Sequence, residues 1–198
     1  AVWVNEIVAK ISSDTLRIFL SFQRPETSNT SFSFDRLSAY VSEILIPLEE
    51  TFSKVNRTLK HTRCLDAEDL AFNEGEKMFF HQIINTLNTL PTHLHPETFS
   101  TRLAMREITN YIMRLAEFST AELTPNTLSV LLTGIRGLGI MLQPFAPQTA
   151  TAINSAFGYG NNKWLTDLSP VAGTLPTALP SLPFKKDFAT LSRMSTEL

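Results

Sequence analysis

Residues 125–142 decide the fold of this chain, and they read PNTLSVLLTGIRGLGIML. The stretch is apolar nearly all round a helix, which is typical of a helix buried in a protein core. Pro125 suits the first helical turn, where the N–H that proline lacks is not needed. Gly134, Gly137 and Gly139 lie close together within the stretch. The pattern predicts a buried central helix whose glycines allow tight contacts with neighbouring helices or a bend.

Amphipathic stretches flank this central helix on both sides. Downstream, Pro147 suits the first turn of a last helix, and Gly158 suits the C-terminal cap of that helix. Upstream, apolar residues at spacings of three and four predict further helices. These helices are expected over residues 14–20, 35–55, 66–90 and 96–115.

Prolines predict where the upstream helices bend, end and begin. Pro47 lies inside the second upstream helix and is expected to kink it, because a proline removes one backbone hydrogen bond. The third helix is expected to start at Asp66 and to end at Pro91, while Pro96 suits the first turn of the fourth.

These patterns predict an all-α fold, a helical bundle with an irregular, proline-rich C-terminal tail. We expect one helical domain over residues 1–160. Residues 161–198 carry many prolines and threonines as far as Pro183, so we expect an extended tail packed on the same domain.

The composition narrows the classes of function. The chain has 198 residues and a formal net charge of −2, so no overall basic field attracts nucleic acid, and any RNA contact needs a local patch. The single cysteine, Cys64, excludes an intramolecular disulfide framework and a multi-cysteine zinc site. No apolar run reaches the roughly 18 residues that a membrane-spanning helix needs. We expect neither a membrane nor a metal as partner.

Five short motifs follow one another in a definite order. They are Asp14-Thr15-Leu16-Arg17-Ile18-Phe19-Leu20, Pro25-Glu26, Phe32-Ser33-Phe34, Val41-Ser42-Glu43-Ile44-Leu45 and Leu142-Gln143-Pro144-Phe145-Ala146-Pro147-Gln148-Thr149-Ala150. In order and spacing they resemble the segments that follow the catalytic KMSKS loop in methionyl-tRNA synthetases, which are class I aminoacyl-tRNA synthetases. The resemblance covers about residues 1–160. It implies the C-terminal anticodon-binding domain of that family, or of a divergent paralogue.

The resemblance also implies where an anticodon would be read. In methionyl enzymes the reading residues are an Asn and an Arg four residues apart on a long helix, and a Trp on a later helix. Without a gap, the first two positions fall on Thr51 and Val55; a two-residue shift places them on Ser53 and Arg57. The Asn is absent in either case. The Trp position falls on Phe118, which keeps a stacking face but lacks the indole N–H donor.

A cluster of basic residues coincides with this region. Its members are Lys54, Arg57, Lys60, His61 and Arg63. One interpretation is a patch that contacts phosphates; the other is a solvated helix end whose cations suit the helix dipole. Our candidate RNA-binding residues are Lys54, Asn56, Arg57, Lys60, His61 and Phe118, and no catalytic or metal-binding residue is expected.

Arg17 stands on an otherwise apolar helix. We expect an ion pair that ties this helix to the rest of the bundle.

The resemblance implies a cytoplasmic tRNA-binding domain of a methionyl-tRNA synthetase or a related protein. Residues 1–11 would be the connector from a catalytic domain that this chain lacks. The parent protein would be a methionine–tRNA ligase or a relative of one. ATP and methionine would be used by that other domain, and no cofactor is expected here.

Two alternatives stay open at this point. One is a degenerate synthetase-like domain that binds a protein partner instead of tRNA, an interpretation favoured by the low charge and the missing Asn. The other is a small independent enzyme on a helical bundle, which would need a deep pocket with convergent polar groups.

Overall fold

Helices make up most of the structure, a computed structural model that describes residues 7–26, 31–158 and 169–196. The α-helices are α1 (Ser13–Gln23), α2 (Phe34–Tyr40), α3 (Ile46–Leu59), α4 (Glu74–His93), α5 (Thr101–Phe118), α6 (Pro125–Leu142), α7 (Pro147–Ala156) and α8 (Phe184–Thr196). A short 3-10 helix spans Ala67–Asp69. Strands β1 (Cys64–Leu65) and β2 (Gly173–Thr174) form a small antiparallel pair, with Cys64 opposite Thr174. The predicted all-α bundle is confirmed.

Helix α6 lies at the centre of the bundle. Every residue from Thr127 to Gly139 is buried, and the helix packs against α4, α5 and α7. The Thr124 side chain caps its first turn by accepting the N–H of Thr127, and Pro125 follows the cap directly. The predicted buried central helix is confirmed, together with its proline start.

The glycines of α6 allow close approach to neighbouring helices. A Cβ atom at Gly134 would lie 2.7 Å from the Leu115 side chain, and the Gly134 carbonyl accepts the Tyr111 hydroxyl at 2.7 Å. On another face, a Cβ atom at Gly139 would lie 2.5 Å from Asn154 Oδ1. Of the two roles expected for these glycines, the structure selects tight helix contacts.

Replacing Gly139 by alanine should therefore lower the free energy of unfolding by about 1–3 kcal/mol, because α7 must move to admit the methyl group. Gly137 offers a matched control on the same helix. A Cβ atom there would lie 3.4 Å from the Ile83 side chain, an ordinary contact. We expect Gly137→Ala to stay within about 1 kcal/mol of wild type in urea denaturation, since alanine favours helix. Equal losses in the two variants would contradict this account of the α6–α7 contact.

The helix predicted around Pro47 is present, and its hydrogen bonding changes just before the proline. A π-helical segment, Val41–Leu45, joins α2 to α3, and the Ile46 N–H at its end donates to the Val41 carbonyl. Pro47 then lies in the first turn of α3, where a proline is tolerated. The wide π turn therefore shifts the hydrogen-bonding register directly before Pro47, the residue that has no backbone N–H to donate.

Two helix boundaries differ from the prediction. Helix α4 starts after Asn73, because Asn73 and Glu76 form a reciprocal capping box, and Pro91 lies within its last turn. Helix α5 starts after Ser100, whose side chain accepts the N–H of Leu103, so Pro96 lies in the preceding turn. At the other end of the bundle, the predictions for Pro147 and Gly158 are confirmed: Gly158 ends the α7 region with a φ of +74°.

Buried carboxylates join the starts of helices that lie far apart in the chain. Helix α7 has no side-chain cap of its own, since its N-cap residue is Ala146. The buried Asp14 carboxylate on α1 supplies the acceptor, and the Thr149 N–H donates to it at 2.7 Å. In turn, Asp187 on α8 accepts the Thr15 hydroxyl at 2.6 Å and the Ser12 N–H at 3.2 Å at the start of α1.

Arg17 does not tie α1 to the bundle, as the sequence had led us to expect. Its guanidinium lies 3.8 Å from the Asp14 carboxylate one turn earlier on the same helix, and its side chain is 55% exposed. The connection between α1 and α7 is made by Asp14 instead, because Asp14 points inward from this turn and Arg17 points to solvent.

The Asp14→Ala variant should lose about 2 kcal/mol in the free energy of unfolding, because the buried Thr149 N–H is left without its charged acceptor. Asp14→Asn retains an acceptor oxygen and should lose less. Arg17→Ala is the matched control and should change stability by no more than about 0.5 kcal/mol, as an exposed ion pair does. Urea denaturation of the three variants measures this. A larger loss in Arg17→Ala than in Asp14→Ala would refute the cap.

Glu26 makes a third cap between helices. Its carboxylate accepts the Ser100 hydroxyl at 2.7 Å and the Arg102 N–H at 3.2 Å at the start of α5. The hydrogen bond from Ser100 is the main reason that the pKa of Glu26 is lowered. The cap therefore joins the end of α1 to α5.

The C-terminal region begins as an extended segment over residues 169–183, which we call the strap. The Ser129 hydroxyl donates to the Val171 carbonyl at 2.6 Å, and the Val171 N–H donates to Thr133 Oγ1 at 2.9 Å. Beyond the strap, Phe184–Thr196 forms α8, a helix that the sequence analysis did not anticipate in the tail. Residues 1–6 of the expected connector and residues 27–30, 159–168 and 197–198 lie outside the described ranges.

Candidate nucleic-acid interface

A groove of about 580 Å³ opens between the outer ends of α3 and α5, and we call it the α3–α5 groove. It is lined by Pro47, Glu50, Thr51, Ser53, Lys54, Arg57, Ala116, Glu117, Ser119, Thr120 and Lys185. Helix α8 contributes only Lys185 to this lining. The groove therefore collects polar groups from three segments that are distant in sequence.

The groove distinguishes the two positions considered for the anticodon-reading pair. In the ungapped alignment, Val55 is fully buried and does not line the groove. In the shifted alignment, Ser53 and Arg57 are both exposed and both line it, one helical turn apart. Only the shifted alignment therefore brings both members of the pair into the groove.

The Lys54 ammonium group is hydrogen-bonded within the protein. It donates to the backbone carbonyls of Ser119, Thr120 and Ala121, at 2.7 Å in the case of Ala121. These carbonyls follow the last turn of α5, where carbonyl groups have no partner inside the helix. Lys54 thus caps the negative end of α5, and its charge is largely offset by these dipoles.

Asn56 faces the strap. Its side-chain N–H donates to the Leu179 carbonyl at 3.2 Å, and its side-chain oxygen accepts the Leu179 N–H at 2.7 Å. These two bonds have the same pattern as a pair of backbone hydrogen bonds between two β-strands. They occupy a donor and the acceptor oxygen of the Asn56 side-chain amide. Asn56 therefore lies next to Arg57 in sequence but on another side of α3.

Phe118 lies on the far side of the α5 end. Its ring stacks on Phe79, with centroids 4.1 Å apart and planes inclined by 11°. Both rings line a second cavity of about 530 Å³, together with Met78 and Arg114. Phe118 therefore does not line the α3–α5 groove, although its neighbour Glu117 does.

The remaining basic candidates, Lys60 and His61, are exposed at the end of α3 but do not line the groove. Arg63 is exposed as well, and its carbonyl accepts the Leu175 N–H beside the small strand pair. The structure thus spreads the basic cluster over several surfaces, and Arg57 is its exposed member in the groove.

Sequence reasoning did not select three charged residues of the groove, which are Glu50, Glu117 and Lys185. Lys185 pairs with Glu50 at 3.2 Å, and its N–H donates to the Glu49 carboxylate at 2.8 Å. Glu117 could have been found from its place directly before Phe118, the residue at the Trp position. Lys185 offered no such signal, because only the packing of α8 brings it to α3.

Arg57 and Glu117 are the uncommitted charged groups of the groove. Neither side chain forms a hydrogen bond or an ion pair with another residue in the described ranges. Lys54 and the Lys185–Glu50 pair, by contrast, are satisfied inside the protein. The groove therefore offers one strong set of donors and one strong acceptor to a ligand.

Asn56→Ala should lower the free energy of unfolding by about 1–2 kcal/mol, because the two bonds to Leu179 are lost. Hydrogen exchange of the Leu179 amide should become faster. The neighbouring exposed residue provides the control: Arg57→Ala should stay within about 0.5 kcal/mol of wild type and leave that amide protected. Unchanged exchange in Asn56→Ala would show that the strap is held elsewhere.

Comparison with known proteins finds methionine–tRNA ligases among the sequence relatives of this chain. No family model matches the chain. A Streptococcus pneumoniae methionine–tRNA ligase is 27% identical over 179 residues, which is 83% of this chain and 31% of the relative. The Caldivirga maquilingensis methionine–tRNA ligase is 22% identical over 193 residues, which is 93% of this chain and 33% of the relative. The chain therefore spans about a third of the length of these relatives.

The fold matches as well. The apo methionyl-tRNA synthetase of Mycobacterium tuberculosis aligns with a TM-score of 0.72 at 15% identity, over 91% of this chain and 41% of that one. The chain resembles the C-terminal helical domain of methionyl-tRNA synthetases. The resemblance inferred from the motifs is confirmed in sequence and in fold.

The motif residues that carry this methionyl-tRNA synthetase resemblance have structural roles. Asp14 and Thr149 form the cap between α1 and α7, and Glu26 caps α5. None of the three lines the α3–α5 groove. The resemblance therefore rests on residues that hold the scaffold, and the ligand of the groove has to be argued from the groove itself.

Two further observations concern the part of the chain that the structure describes. None of its helices combines the length and apolar content needed to cross a bilayer. Its His, Cys, Asp and Glu residues form no group of three or more that could hold a metal ion.

Proposed function

We propose that this chain is a tRNA-binding domain of synthetase type whose α3–α5 groove receives part of an anticodon loop. The observation that carries the proposal is the joint position of Ser53 and Arg57 in one groove, on a fold like that of methionyl-tRNA synthetases. In the alignment shifted by two residues, these are the two positions to which the family resemblance assigns anticodon reading.

The chemistry of the groove suits an RNA loop. Proteins recognise single-stranded loop bases through side chains that reach the exposed base edges. Arg57 presents a guanidinium that is not spent inside the protein, and it can bind a phosphate or a base edge in a bidentate manner. Because the net charge is −2, such local contacts have to supply the affinity.

We further propose that aminoacylation takes place in another domain of the parent protein. The relatives are named methionine–tRNA ligases, and the chain covers about a third of their length. In this proposal ATP and methionine bind in that other domain, and this chain positions the tRNA. The parent would then be a cytoplasmic ligase, and this chain would need no cofactor.

The Arg57→Ala variant should bind tRNA at least about tenfold more weakly than wild type, since one bidentate charged contact contributes about 1–3 kcal/mol. Filter binding of methionine tRNA at low salt measures this, with leucine tRNA for comparison. Arg106→Ala is the matched control, because Arg106 is exposed on α5 outside the groove. Anticodon reading would be refuted if the wild-type chain bound no tRNA or bound the two tRNAs equally. If Arg57→Ala and Arg106→Ala lost binding equally, the groove would be refuted as the binding site.

One observation favours a protein partner as the second candidate. Lys54, Asn56 and Phe118 make internal contacts, which leaves fewer candidate residues to meet RNA. In this alternative the domain is a degenerate relative that docks to protein. A defined protein partner recovered by pull-down, together with no tRNA binding at low salt, would support it. If Arg57→Ala lost tRNA binding and Arg106→Ala kept it, protein docking would be excluded as the main function.

A further inference from the structure

Exposed apolar side chains gather on one side of the bundle, where α1 packs against α5. Among the described residues, three of the exposed large apolar side chains come from α1 and the start of α5: Leu20, Phe99 and Leu103. Phe99 is the most exposed of the three, at 56%. Isolated exposed apolar residues are normal on a protein surface, whereas a group of them marks an interaction surface. Exposed arginines accompany the group, and we call the whole set the α1–α5 face: Arg17, Leu20, Arg24, Phe99, Leu103 and Arg106.

The end of α1 is fixed against the start of α5. Arg24, directly after α1, donates to the Thr101 hydroxyl at 3.0 Å, and Glu26 caps α5. The Arg24 guanidinium also lies 5.9 Å from the centre of the Phe99 ring, which is a cation–π contact. Leu20 lies about one turn before Arg24 on the exposed side of α1. The Phe99 ring is therefore held in place before a partner arrives, which lowers the entropic cost of binding.

On α5 the face continues as a stripe along the helix. The exposed positions follow at steps of three, four and three residues, and they are Leu103, Arg106, Asn110 and Met113. Such steps return to one side of a helix, and they match the spacing at which a second helix packs lengthwise. From Phe99 to Met113 the stripe is about 21 Å long, at roughly 1.5 Å per residue. A partner helix of about four turns would cover it.

The arginines of the face keep charge that a partner can use. Each has a carboxylate within three residues in sequence. Asp14 is buried and accepts the Thr149 N–H, and Glu26 is bound to the start of α5. Glu107 is half-buried, and its side chain points about 100° away from that of Arg106. Arg106 itself forms no hydrogen bond or ion pair with another residue in the described ranges, so its guanidinium is available.

We propose that the α1–α5 face binds an amphipathic helix of another protein, with apolar side chains along one side and a carboxylate opposite Arg106. A partner that covered Arg106 with apolar groups alone would remove water from the guanidinium without replacing it, so an acceptor is required. This mode of binding places the apolar side of one helix on an apolar surface between two others.

RNA fits the face less well than a helix does. Its phosphates can pair with the arginines, but a sugar–phosphate backbone leaves Leu20, Phe99 and Leu103 without apolar contacts. The α3–α5 groove is a separate surface, because none of the six face residues lines it. The inference therefore goes beyond the proposed function and does not depend on tRNA binding in the groove.

The test uses the full 198-residue chain and two fluorescein-labelled helical peptides of about 20 residues. Both peptides carry leucine at steps of three and four, and the flanking positions are glutamate in one peptide and lysine in the other. Fluorescence anisotropy at low salt should show at least about tenfold tighter binding of the glutamate peptide. In NMR spectra the Met113 methyl signal should shift on binding, whereas the signal of Met78, which is exposed on α4, should not.

Leu103→Ser and Arg106→Glu are the decisive variants. Leu103→Ser removes an apolar contact and should weaken binding of the glutamate peptide about tenfold. Arg106→Glu reverses the charge within the stripe and should abolish the preference for that peptide. Met78→Ser and Lys60→Glu are the matched controls, since they make the same kinds of change at exposed positions outside the face, and both should bind as wild type does. Thermal unfolding of each variant checks that it is folded.

The outcomes separate this proposal from the tRNA-binding function. The proposal is overturned if the two peptides bind equally, if Leu103→Ser and Arg106→Glu bind as wild type does, or if the Met113 signal does not shift. It is also overturned if neither peptide binds while Arg106→Glu weakens binding of methionine tRNA, or while phosphatidylserine vesicles bind in a Leu103-dependent manner. The face would then contact RNA or a membrane. Absence of tRNA binding overturns the proposed function alone, because the groove and the face share no residue.

Discussion

The buried Asp14 carboxylate is the constraint on which the arrangement of the helices depends. Helix α7 begins at an alanine cap with no side-chain acceptor, and a helix start that is buried without partners is costly. Asp14 supplies the acceptor from α1, and the start of α1 is bound in turn by Asp187 of α8. The two ends of the described chain are thereby joined through helix termini, and α1 cannot shift without exposing two sets of unsatisfied backbone groups.

The motif residues shared with methionyl-tRNA synthetases connect helices to one another, and this determines what the resemblance reports. Asp14, Glu26 and Thr149 belong to motifs shared in order with methionyl-tRNA synthetases, and each makes or receives a cap between helices. Such residues specify the position of one helix relative to another. A match built on them reports the scaffold. Arg57 and Glu117 lie outside these motifs and are exposed in the groove.

Helix α3 shows how closely structural and candidate functional positions can alternate. Lys54 caps α5, Val55 is in the core, Asn56 holds the strap, and Arg57 faces the groove. Successive residues on a helix point about 100° apart, so adjacent residues meet different environments, although Lys54 and Arg57, three residues apart, both line the groove. A basic cluster counted along the sequence therefore overstates the charge that any one surface presents.

The sequence by itself determined the helical class, the buried central helix and the proline starts of α6 and α7, since these depend on local periodicity and on backbone groups close in the chain. The capping box of Asn73 and Glu76 is also a local pattern of the sequence, and it marks the start of α4 better than Asp66 does. Only the tertiary structure decided that Asn56 is tied to Leu179 and that Lys185 and Glu117 share a groove with Arg57. These relations join residues separated by long stretches of chain, and no local pattern encodes which distant side chain will face which.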